Sequence, residues 1–517
     1  MRAILSPFDK NGLIPFARGL IALGFDLFAT DGTARWLGEA GVACHNISEL
    51  TKHAEMLGGR VKTLHPAIYA GLLADPHLPD HVAQLARFRY ESIEVVVVNL
   101  YPFRQTVESP LVQLAEAIEQ IDIGGVALLR AASKNIHNVI PVVDPVDYSD
   151  VLKRLQDSTT DPAWRRGMAA KTFRHVAAYD STIAGYLTGT TEEFPEVLPL
   201  ALTKIQDLRY GENPHQRAAL YGQFPNSEVG STLAGATQLH GRELSFNNIL
   251  DVEAAFSAVR DFEAISVAVI KHGNPCGLAS ADNLPDAYRN AHAGDPLSSF
   301  GGALALNRPV DATTAGLIAE SHYDDIVAPG FADDALPLLQ RKKNVRILKV
   351  CLEEASDSAI EMNPALALDF RQIRGGFLVQ TVDGPSTDGM DYQLVTDREP
   401  TAAELADLLF AWRAVKHVKS NAIVLARQQS LVGIGAGQMS RVDSVELALR
   451  KAGNRVEGSV LASDGFFAFA DGVELAASAG IRAIIQPGGS VHDDDITRVA
   501  NQRGVAMLLT GRRHFRH

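Results

Sequence analysis

The sequence predicts an α/β protein with at least two domains. The chain has 517 residues, which is more than one ordinary hydrophobic core accommodates. Short apolar runs at residues 3–5 and 25–29 read as strands, and each is followed by a loop and a stretch with helical spacing. Because strands, loops and helices alternate at this short pitch, we expect βαβ units and a parallel sheet.

The composition is that of a globular protein and argues against several functional classes. Hydrophobic residues make up 46% of the chain and charged residues 21%. The formal net charge of -13 argues against a nucleic-acid-binding surface, although small anionic substrates need only a local basic cluster. Cys44, Cys276 and Cys351 have no paired spacing, which fits a reducing compartment. We recognise no signal peptide and no membrane-spanning run, and we expect a cytoplasmic protein.

The first two predicted strands both end in small or polar residues. Ser6 and Lys10 follow the first strand, and Thr33 follows the second. Loops of this kind at helix N-termini bind anions. The same positions suit helix caps equally well, so this pattern alone leaves both roles open.

The segment at residues 56–71 is dense in groups that bind phosphate or polarise an oxyanion. It reads MLGGRVKTLHPAIYAG, so two glycines precede Arg60, Lys62 and Thr63. The segment is not a P-loop, because no glycine directly precedes the Lys-Thr pair. We interpret it as an anion site of another kind.

Further polar residues lie where predicted strands and helices end. A predicted strand leads into Asn99 and Tyr101, and Asp122 precedes a predicted helix that leads to Lys134. Asp122 would also serve as a helix cap, and Lys134 as a solvated helix end. Lys62 and Tyr101 share this placement at the end of an element, and this common pattern argues against purely structural roles for Asp122 and Lys134.

A change of composition divides the chain. Residues 188–199 lose periodicity and gain Thr, Glu and Pro, which is typical of a linker. We therefore predict a first domain at residues 1–197 and a second at residues 198–517. Segments around 353–357 and 383–391 read as surface insertions, and we recognise no internal repeat.

The strongest candidate in the second domain is the segment at residues 265–277, which reads ISVAVIKHGNPCG. It begins as a buried strand and is predicted to break into a glycine-rich loop, where open α/β sheets bind ligands. Lys271 and His272 lie at that break. Histidine exchanges a proton near neutral pH, and lysine supplies a positive charge beside it. The alternative is that both are ordinary polar residues at the end of a strand.

Other parts of the second domain carry weaker signals. Residues 208–216 form a polar, turn-rich segment that contains Arg209 and Tyr210, and a helix is predicted to start near Asp251. Further on, a capping box opens an amphipathic helix that begins after Thr401.

Two short strands follow that helix. Residues 423–425 and 431–434 are predicted to pair as a hairpin.

Two cofactor motifs fail. The glycines at 433, 435 and 437 suggest a dinucleotide fingerprint, but Gln438 stands at its third glycine position. A zinc deaminase signature would require a glutamate and a second cysteine where Asn274 and Ala279 stand. We therefore expect no catalytic metal.

Together, the motifs resemble one family, the bifunctional purine biosynthesis proteins. In that family a phosphoribosylaminoimidazolecarboxamide formyltransferase is joined to an IMP cyclohydrolase. The chain contains, in the family's order, GGRVKTLHP, NLYPF, IDIGG, LRYGENPHQ, KHGNPCG, SSFGG, GIGAGQMSR and SDGFF. Each motif alone is weak, whereas the ordered series is specific and runs almost from end to end.

The resemblance implies both the fold and the chemistry. The first domain would be a parallel-sheet, methylglyoxal-synthase-like fold that closes the formylated product to IMP with loss of water. The larger second domain would be an α/β/α fold, similar to cytidine deaminases without the zinc. It would transfer a formyl group from 10-formyltetrahydrofolate to the 5-amino group of 5-amino-4-imidazolecarboxamide ribonucleotide. The family also implies a homodimer with transformylase sites across the subunit interface.

The resemblance further implies roles for single residues. His272 would be the base that acts on the weakly nucleophilic amino group, and Lys271 would stabilise the tetrahedral oxyanion. In cyclisation, Lys134 would transfer a proton, supported by Lys62, Tyr101 and Asp122. Nucleotide contacts would fall on Arg209, Tyr210, Gly301, Asp324, Asn421 and Arg441, and folate contacts on Val442, Asp464, Gly488, Gly489 and Arg513. In the first domain, product or phosphate would be bound by Ser6, Lys10, Thr33, Arg60, Thr63 and Asn99.

Some positions depart from the family pattern. Pro7 and Phe8 replace small residues in the first loop, and Gly488 stands where a serine can occur. Asp31 stands where a glycine is common, and a carboxylate repels a phosphate unless it is turned away. Two alternatives therefore stay open: a nucleotide-binding protein that has lost catalysis, and an enzyme that retains only the transformylase.

Overall fold

The structure is a computed structural model that describes residues 1–101, 103–107, 112–189, 194–223, 232–351, 368–384 and 392–517. The predicted insertion at 353–357, and 385–391 of the other one, lie outside the described residues. The chain divides into two compact units. The first is built on Met1–Thr203, and the second comprises most of the chain from Lys204 onward.

The first unit contains a five-stranded parallel sheet in the order β3-β2-β1-β4-β5. Its strands are β1 (Arg2–Leu5), β2 (Asp26–Ala29), β3 (His45–Asn46), β4 (Val95–Val97) and β5 (Ile140–Val142). Its helices are α1 (Leu13–Ala22), α2 (Asp31–Glu39), α3 (Ile47–Thr51), α4 (Pro66–Leu73), α5 (Pro79–Phe88), α6 (Phe103–Val107), α7 (Leu114–Glu119), α8 (Gly124–Lys134), α9 (Tyr148–Gln156) and α10 (Pro162–Thr188). The predicted α/β class and parallel sheet are confirmed.

The first sheet is buried on both faces. Ile4 and Val96 belong to one hydrophobic cluster, whereas Leu5 and Val97 belong to another. Because successive side chains of a strand point to opposite faces, each face of the sheet has its own core. This explains why the strands are apolar at nearly every position instead of alternating.

From Leu202 onward the chain forms a mixed twelve-stranded sheet and two smaller two-stranded sheets. The strands are β6 (Leu202–Leu208), β7 (Ala218–Gln223), β8 (Thr237–His240), β9 (Ser266–Lys271), β10 (Asn274–Ser280), β11 (Gly302–Leu306), β12 (Tyr323–Ala328), β13 (Arg346–Lys349), β14 (Leu368–Ile373), β15 (Gly376–Thr381), β16 (Gln393–Leu394), β17 (Ile423–Arg427), β18 (Ser430–Gly435), β19 (Val460–Ser463), β20 (Ala483–Gln486) and β21 (Ala506–Leu509). The large sheet runs β16-β21-β20-β19-β17-β18-β10-β9-β11-β12-β13-β8.

The helices of this part cover the large sheet. They are α11 (Phe246–Arg260), α12 (Leu284–Gly294), α13 (Pro296–Ser299), α14 (Ala312–Glu320), α15 (Leu336–Gln340), α16 (Ala402–Val415), α17 (Arg441–Ala452), α18 (Asp471–Ser478) and α19 (Asp493–Arg503). The main core of this unit lies between the sheet and α11 and α16. None of the helices within the described residues is long and apolar enough to span a bilayer.

The second unit contains an internal repeat that the sequence did not reveal. Residues 246–349 and 402–509 each form a helix, an antiparallel hairpin and three further strands that alternate with helices. The strand orders β10-β9-β11-β12-β13 and β18-β17-β19-β20-β21 correspond, and so do the parallel and antiparallel pairings within them. The halves meet where β10 pairs with β18. The repeat is one of backbone architecture, and the sequence, in which we recognise no internal repeat, gave no sign of it.

Two further local predictions need correction. The glycine-rich loop predicted after Lys271 is a two-residue turn, because Asn274–Ser280 continues as the second strand of a hairpin. Helix α11 begins at Phe246 rather than near Asp251, since the Ser245 hydroxyl accepts the Asn248 N–H at 3.3 Å and caps the helix.

The signals around α16 were read correctly in part. The Thr401–Glu404 capping box and the hairpin β17–β18 are both present. Helix α16 is buried over a broader face than a simple amphipathic stripe, because Asp407, Phe410 and Trp412 are all buried.

Candidate active sites

The first unit has a cavity of about 620 Å³ at the carboxyl ends of its strands. Ser6 follows β1 there, Tyr101 lies beyond the end of β4, and Asp122 precedes α8. The cavity brings together six of the residues singled out in the sequence, namely Ser6, Arg60, Lys62, Thr63, Tyr101 and Asp122. Open α/β sheets bind ligands at this edge.

The IDIGG segment shapes one wall of the cavity through close packing at the start of α8. The Asp122 carboxylate accepts the Gly125 N–H at 2.8 Å, and the Asp122 N–H donates to the Tyr179 hydroxyl at 2.8 Å. A Cβ on Gly124 would lie 2.7 Å from the Thr63 hydroxyl oxygen, and one on Gly125 would lie 2.4 Å from an Asp122 oxygen. Both glycines are therefore required for this approach, and the predicted capping role of Asp122 is present.

Arg60 is engaged by an acidic residue that sequence reasoning missed. Its Nε donates to Glu119 at 3.0 Å, and a second guanidinium nitrogen donates to the other carboxylate oxygen. The Arg60 guanidinium holds the pKa of Glu119 below its usual value. Both side chains are largely exposed, so an anionic ligand of Arg60 competes with Glu119 for the same fork of donors.

A tyrosine that interacts with the charge of Asp122 also escaped the sequence analysis. Burial, with the negative charge of Asp122, raises the pKa of Tyr69 to about 12, so its hydroxyl stays protonated at neutral pH. Within the described residues, that hydroxyl is buried and has no hydrogen-bond partner. No motif marks it, because it lies on α4 among apolar residues.

Three predicted binding residues have other contacts. The Asn99 side-chain carbonyl accepts the Asp9 N–H at 2.7 Å, while its NH₂ donates to the Asp9 carbonyl at 3.1 Å, so Asn99 holds the first loop. Thr33 is buried in the first turn of α2. Lys10 is half-buried in the loop before α1, and none of the three lines the cavity.

Lys134 does not join the other predicted catalytic residues. It is the last residue of α8, whereas Asp122 and Gly124 lie at the first turn. The helix has 11 residues, so its ends are about 16 Å apart at a rise of roughly 1.5 Å per residue. The Lys134 side chain is exposed at the end of the helix away from the cavity.

The unusual residues of the first loops have distinct environments. Phe8 packs edge-on against Tyr101, with ring centroids 4.4 Å apart. The Asp31 carboxylate accepts the Asn46 side-chain amide at 2.5 Å. Phe8 therefore touches a predicted catalytic side chain, while Asp31 is held by the cap of α3.

In the second unit, Lys271 and His272 lie at the tip of the β9–β10 hairpin. His272 and Gly273 form the turn, with φ angles of 52° and 73°. Asp251 of α11 accepts both backbone N–H groups, from His272 at 3.3 Å and from Gly273 at 2.7 Å. The His272 side chain is exposed at this tip.

Lys271 extends from the hairpin to the segment before β11. Its Nζ donates to the carbonyl oxygens of Phe300 at 2.9 Å and Gly301 at 2.8 Å. Gly301 has a φ of 68°, and a Cβ there would lie 3.8 Å from an Asp324 oxygen. The structure thus places Lys271, Gly301 and Asp324 side by side.

A second polar cluster lies beside β17 and the start of α17. Arg441 donates to the Asn421 side-chain oxygen at 3.0 Å, to the Ser463 hydroxyl at 2.8 Å and to the Asp464 carboxylate. Ser420 donates to the other oxygen of Asp464, whose side chain is fully buried. This charge-assisted network fixes Asn421 and Arg441 with few free rotations.

Asn274 connects the two clusters. Its side-chain oxygen accepts the Lys419 N–H at 3.0 Å, and its NH₂ donates to the His272 carbonyl at 3.4 Å. The turn that carries His272 is therefore tied to the segment that leads to Asn421. No sequence motif signalled Asn274 in this role, because the contact joins positions 145 apart in the chain.

Of the predicted folate-binding residues, Gly488, Gly489 and Arg513 lie near the end of the chain. Gly488 and Gly489 both have positive φ angles, and Asp493 accepts the Gly489 N–H at 2.7 Å. The neighbouring Gly511 N–H donates to the Pro487 carbonyl at 2.9 Å, close to Arg513 in the chain. The Arg513 guanidinium lies 4.5 Å from the Phe515 ring, and Val442 is half-buried in the first turn of α17.

Arg209 and Tyr210 lie on the turn between β6 and β7. The Arg209 guanidinium lies over the Tyr210 ring at 5.4 Å. The Asn247 amide of α11 donates to the Glu212 carbonyl at 3.2 Å and ties this turn to the helix that carries Asp251. Within the described residues, no hydrogen bond or ion pair joins Arg209 or Tyr210 to the Lys271 or Arg441 clusters.

A buried carboxylate lies behind the Lys271 cluster. Asp325 is 2% exposed, accepts the Asn248 amide at 2.8 Å, and has an oxygen 3.5 Å from an Arg346 nitrogen. Burial raises the pKa of Asp325 to about 6, and the partial compensation by Arg346 and Asn248 does not offset it. Sequence reasoning singled out only its neighbour Asp324.

Comparison with known proteins identifies the family. Residues 132–451 match the model of the AICARFT/IMPCHase bienzyme family, and residues 12–127 match the MGS-like domain. The second match confirms the predicted type of the N-terminal domain.

Curated relatives match over their whole length. The chain is 52% identical to the bifunctional purine biosynthesis protein PurH of Chloroflexus aurantiacus, with 100% of this chain and 99% of that protein covered. It is 47% identical to the protein of the same name from Oceanobacillus iheyensis, with the same coverage. A solved structure, described as the crystal structure of ForH, is 38% identical over 36% of this chain and 96% of its own, with a TM-score of 0.32. On the family match and the identities to the two curated relatives, the chain belongs to the AICARFT/IMPCHase bienzyme family.

Proposed function

We propose that this chain catalyses two consecutive reactions of purine synthesis. The second unit transfers a formyl group from 10-formyltetrahydrofolate to the 5-amino group of 5-amino-4-imidazolecarboxamide ribonucleotide. The first unit closes the formylated product to IMP with loss of water. The observation that carries the proposal is the Lys271–His272 turn, tied through Asn274 to the Asn421–Arg441–Asp464 cluster.

In formyl transfer, His272 accepts the proton that the amino group loses as its nitrogen attacks the formyl carbon. This amino group is conjugated with the carboxamide-bearing ring, so it is a poor nucleophile and needs a base. The exposed position of His272 at the hairpin tip leaves its ring accessible to a substrate.

Lys271 stabilises the oxyanion of the tetrahedral intermediate. Two of its three ammonium donors are used by the carbonyls of Phe300 and Gly301. These bonds fix the ammonium group and leave one donor for the developing negative charge, which is the arrangement that lowers a barrier electrostatically.

The nucleotide is bound by Arg441 and Asn421, together with Gly301 and Asp324. Val442, Asp464, Gly488, Gly489 and Arg513 are the proposed contacts of the folate. Support comes from the shared network in which Asp464 holds Arg441. The exposed Arg513 supplies positive charge for an anionic ligand.

Cyclisation takes place in the cavity of the first unit. The carboxamide nitrogen attacks the formyl carbon of the same molecule, so correct positioning supplies much of the rate. Arg60 and Thr63 bind phosphate, and Lys62, Tyr101 and Asp122 act on the reacting groups. Ser6 borders the same cavity. The proton transfer that the resemblance implies for Lys134 stays a prediction. Within a single chain, the proton would have to pass between the C-terminal end of α8 and the cavity at its N-terminal end.

The proposal includes a homodimer. The family resemblance implies transformylase sites across a subunit interface, and Arg209 and Tyr210 are the residues that such an arrangement would bring in. Sedimentation equilibrium tests this directly, since a monomer at assay concentrations that still transfers formyl groups would contradict it.

One observation favours testing a transformylase-only enzyme as a second candidate. Phe8, which replaces a small residue of the family, packs against Tyr101 in the cyclohydrolase cavity. In this alternative the ring of Phe8 obstructs the position of the substrate, and only formyl transfer remains.

The deciding experiment is an assay with the carboxamide ribonucleotide and 10-formyltetrahydrofolate that follows tetrahydrofolate and IMP separately. We expect both products to appear together. Accumulation of the formylated intermediate would favour the transformylase-only enzyme, and Phe8→Gly would then restore IMP formation. Binding of both substrates without either product would leave only a nucleotide-binding protein.

A further inference from the structure

The two hairpins of the second unit are held by the same device. In each half, an aspartate on the preceding helix accepts the backbone N–H groups of both turn residues. Asp251 of α11 does so for His272 and Gly273, and Asp407 of α16 does so for Gln428 and Gln429. Only the first of these turns carries a residue of the proposed chemistry.

We propose that Asp251 is the positioning residue of the formyl-transfer site. Its carboxylate fixes the turn that presents His272, and it acts on the reaction through His272 rather than by touching substrate. This inference rests on the proposed function of the second unit.

The turn needs such a support because of its backbone conformation. His272 has a φ of 52°, and residues other than glycine adopt this left-handed region uncommonly. The Asp251 carboxylate accepts N–H groups from both turn residues, at 3.3 and 2.7 Å. Hydrogen bonds to an ionised carboxylate are stronger than those between neutral groups. Asp251 therefore offsets the conformational cost of the turn.

Asp251 is itself held on a rigid element. It lies in the second turn of α11, whose first turn is fixed by the Ser245 cap. The following residues Val252 and Phe256 are buried in the main core of the unit. A side chain on a packed helix is held in place more precisely than one on a loop. The position of His272 is therefore fixed, through Asp251, by the hydrophobic core.

Asp407 shows what the same device does without chemistry. It accepts the N–H groups of Gln428 at 2.9 Å and Gln429 at 2.6 Å, and these residues have φ angles of 52° and 51°. The two aspartates hold turns of the same kind at corresponding places in the repeat. Asp407 therefore provides a matched control for the purely structural contribution of such a carboxylate.

The experiment compares Asp251→Ala, Asp251→Asn, Asp407→Ala and Asp407→Asn in the full-length protein. Asp251→Ala should lower kcat for formyl transfer by about 100-fold, the size of effect expected when a reacting group is misplaced by about 1 Å. KM for the carboxamide ribonucleotide should stay unchanged, because Asp251 does not touch it. Asp251→Asn keeps one acceptor oxygen and should recover part of kcat.

The Asp407 variants should lower the melting temperature by about as much as the matching Asp251 variants do. Their kcat for formyl transfer should stay at the wild-type value. IMP formation from the formylated intermediate, measured in the same samples, should be unchanged in all four variants. If Asp251→Ala fails to fold, the comparison of Asp251→Asn with Asp407→Asn decides.

Two outcomes overturn the proposal. In the first, substitutions at Asp251 and at Asp407 lower kcat for formyl transfer equally, in proportion to the loss of folded protein. In the second, Asp251→Asn and Asp251→Ala keep the wild-type kcat. Failure of the proposed function is distinguishable from both, because the wild-type protein would then transfer no formyl group at all.

Discussion

The two halves of the second unit share a fold but differ at the positions that matter for chemistry. The first hairpin turn is preceded by Lys271 and contains His272, whereas the second is preceded by Arg427 and contains Gln428. Lys271 reaches the backbone before β11, and Arg427 reaches the Glu457 carbonyl before β19. The same scaffold therefore carries a candidate base in one half and neutral amides in the other.

A second difference lies just after the third strand of each half. Asn307 and Asp464 occupy corresponding places, because each donates its backbone N–H to the start of the first hairpin strand, at Ser266 and Ala422 respectively. The Asn307 amide is closed off by backbone partners, whereas the Asp464 carboxylate accepts from Arg441 and Ser420.

The two halves do not form two equivalent sites. The His272 turn lies at one end of the β10–β18 pair, near Lys419, while Gln429 lies at the other end and accepts the Ser280 N–H at 2.9 Å. The turn of the first half thus meets the polar cluster of the second half, and the turn of the second half meets backbone of the first. The repeat has therefore produced one composite site, at the His272 end of the β10–β18 pair. At the other end, which we call the closed end, the Gln429 turn meets backbone of the first half.

The largest expected effect separates the two turns. His272→Ala should lower formyl transfer by about 10²–10⁴-fold, the usual contribution of a positioned base. Gln428→Ala, at the corresponding turn position, should leave formyl transfer unchanged. Steady-state assays of both variants test this, with cyclisation of the formylated intermediate as the internal control. Equal losses in the two variants would mean that the turns are not functionally distinct.

The next effect concerns Asn307. Its NH₂ donates to the carbonyls of Phe262 at 2.9 Å and Ala264 at 2.7 Å, so a carboxylate there would face acceptors instead of donors. Asn307→Asp should lower the free energy of unfolding by about 3–5 kcal/mol, the cost of an unpaired buried charge. Asp464→Asn is the converse change, and because it leaves the largely buried Arg441 without its carboxylate, it should reduce both stability and formyl transfer. Urea unfolding measures the stability of the two variants, and formyl-transfer assays measure their activity. A stable Asn307→Asp protein would show that the Asn307 position tolerates a charge and is not closed.

Asp325 should give the first half a pH-dependent stability that has no counterpart at the equivalent position of the second half. Its position in β12 corresponds to Ala483 in β20, which is apolar and fully buried. The folded-state pKa of Asp325 is raised to about 6, above its usual value near 3.8. The folded protein therefore binds the proton more tightly. The stability that protonated Asp325 contributes is fully present below about pH 4 and is lost as the pH rises through about 6.

Asp325→Asn removes this component. The difference in unfolding free energy between Asp325→Asn and wild type should grow in favour of the variant by about 2 kcal/mol from pH 4 to pH 7, since one pKa unit corresponds to about 1.4 kcal/mol. Urea titrations across this range measure the slope. A difference that does not change with pH would show that Asp325 is ionised throughout.

The smallest effect concerns a link between the halves. Lys451, at the end of α17, donates to Asp295, between α12 and α13, at 2.6 Å. The lysine side chain is 38% exposed, so Lys451→Ala should cost only about 0.5–1 kcal/mol. The neighbouring Arg450→Ala serves as a control for the loss of one surface charge. A larger loss, seen by urea unfolding, would mean that this pair helps to hold the halves together.

Local patterns predicted the elements, and long-range contacts escaped prediction. The strands around Ile4 and Val96 were found because burial on both faces demands continuous apolar residues. The cap of α16 was found because Thr401 and Glu404 are close in sequence. Asn274 and Asp251 were missed because they bind backbone atoms far away in the chain, which leaves no motif.

The position of Lys134 shows why polar residues at the ends of predicted helices and strands do not by themselves define a shared site. Asp122 and Lys134 both lie at an end of α8, and the sequence shows each as a polar residue beside an apolar run. Only the direction of the helix reveals that these ends point to opposite edges of the sheet. Similarly, the repeat was invisible because corresponding positions such as His272 and Gln428 differ in residue type while sharing a backbone conformation.

The seam between the halves has a consequence for how the protein folds. The hairpins and their flanking helices are joined by contacts close in sequence, whereas β10 meets β18 through the Ala279–Ser430 pair and Lys419 reaches Asn274 across 145 positions. Contacts of long sequence separation form late, because closing a long loop costs entropy before it returns any stabilising contact. We therefore expect each half to collapse as a cooperative block. Docking of the blocks then brings His272 beside Asn421, so that this site is completed in the last step of folding.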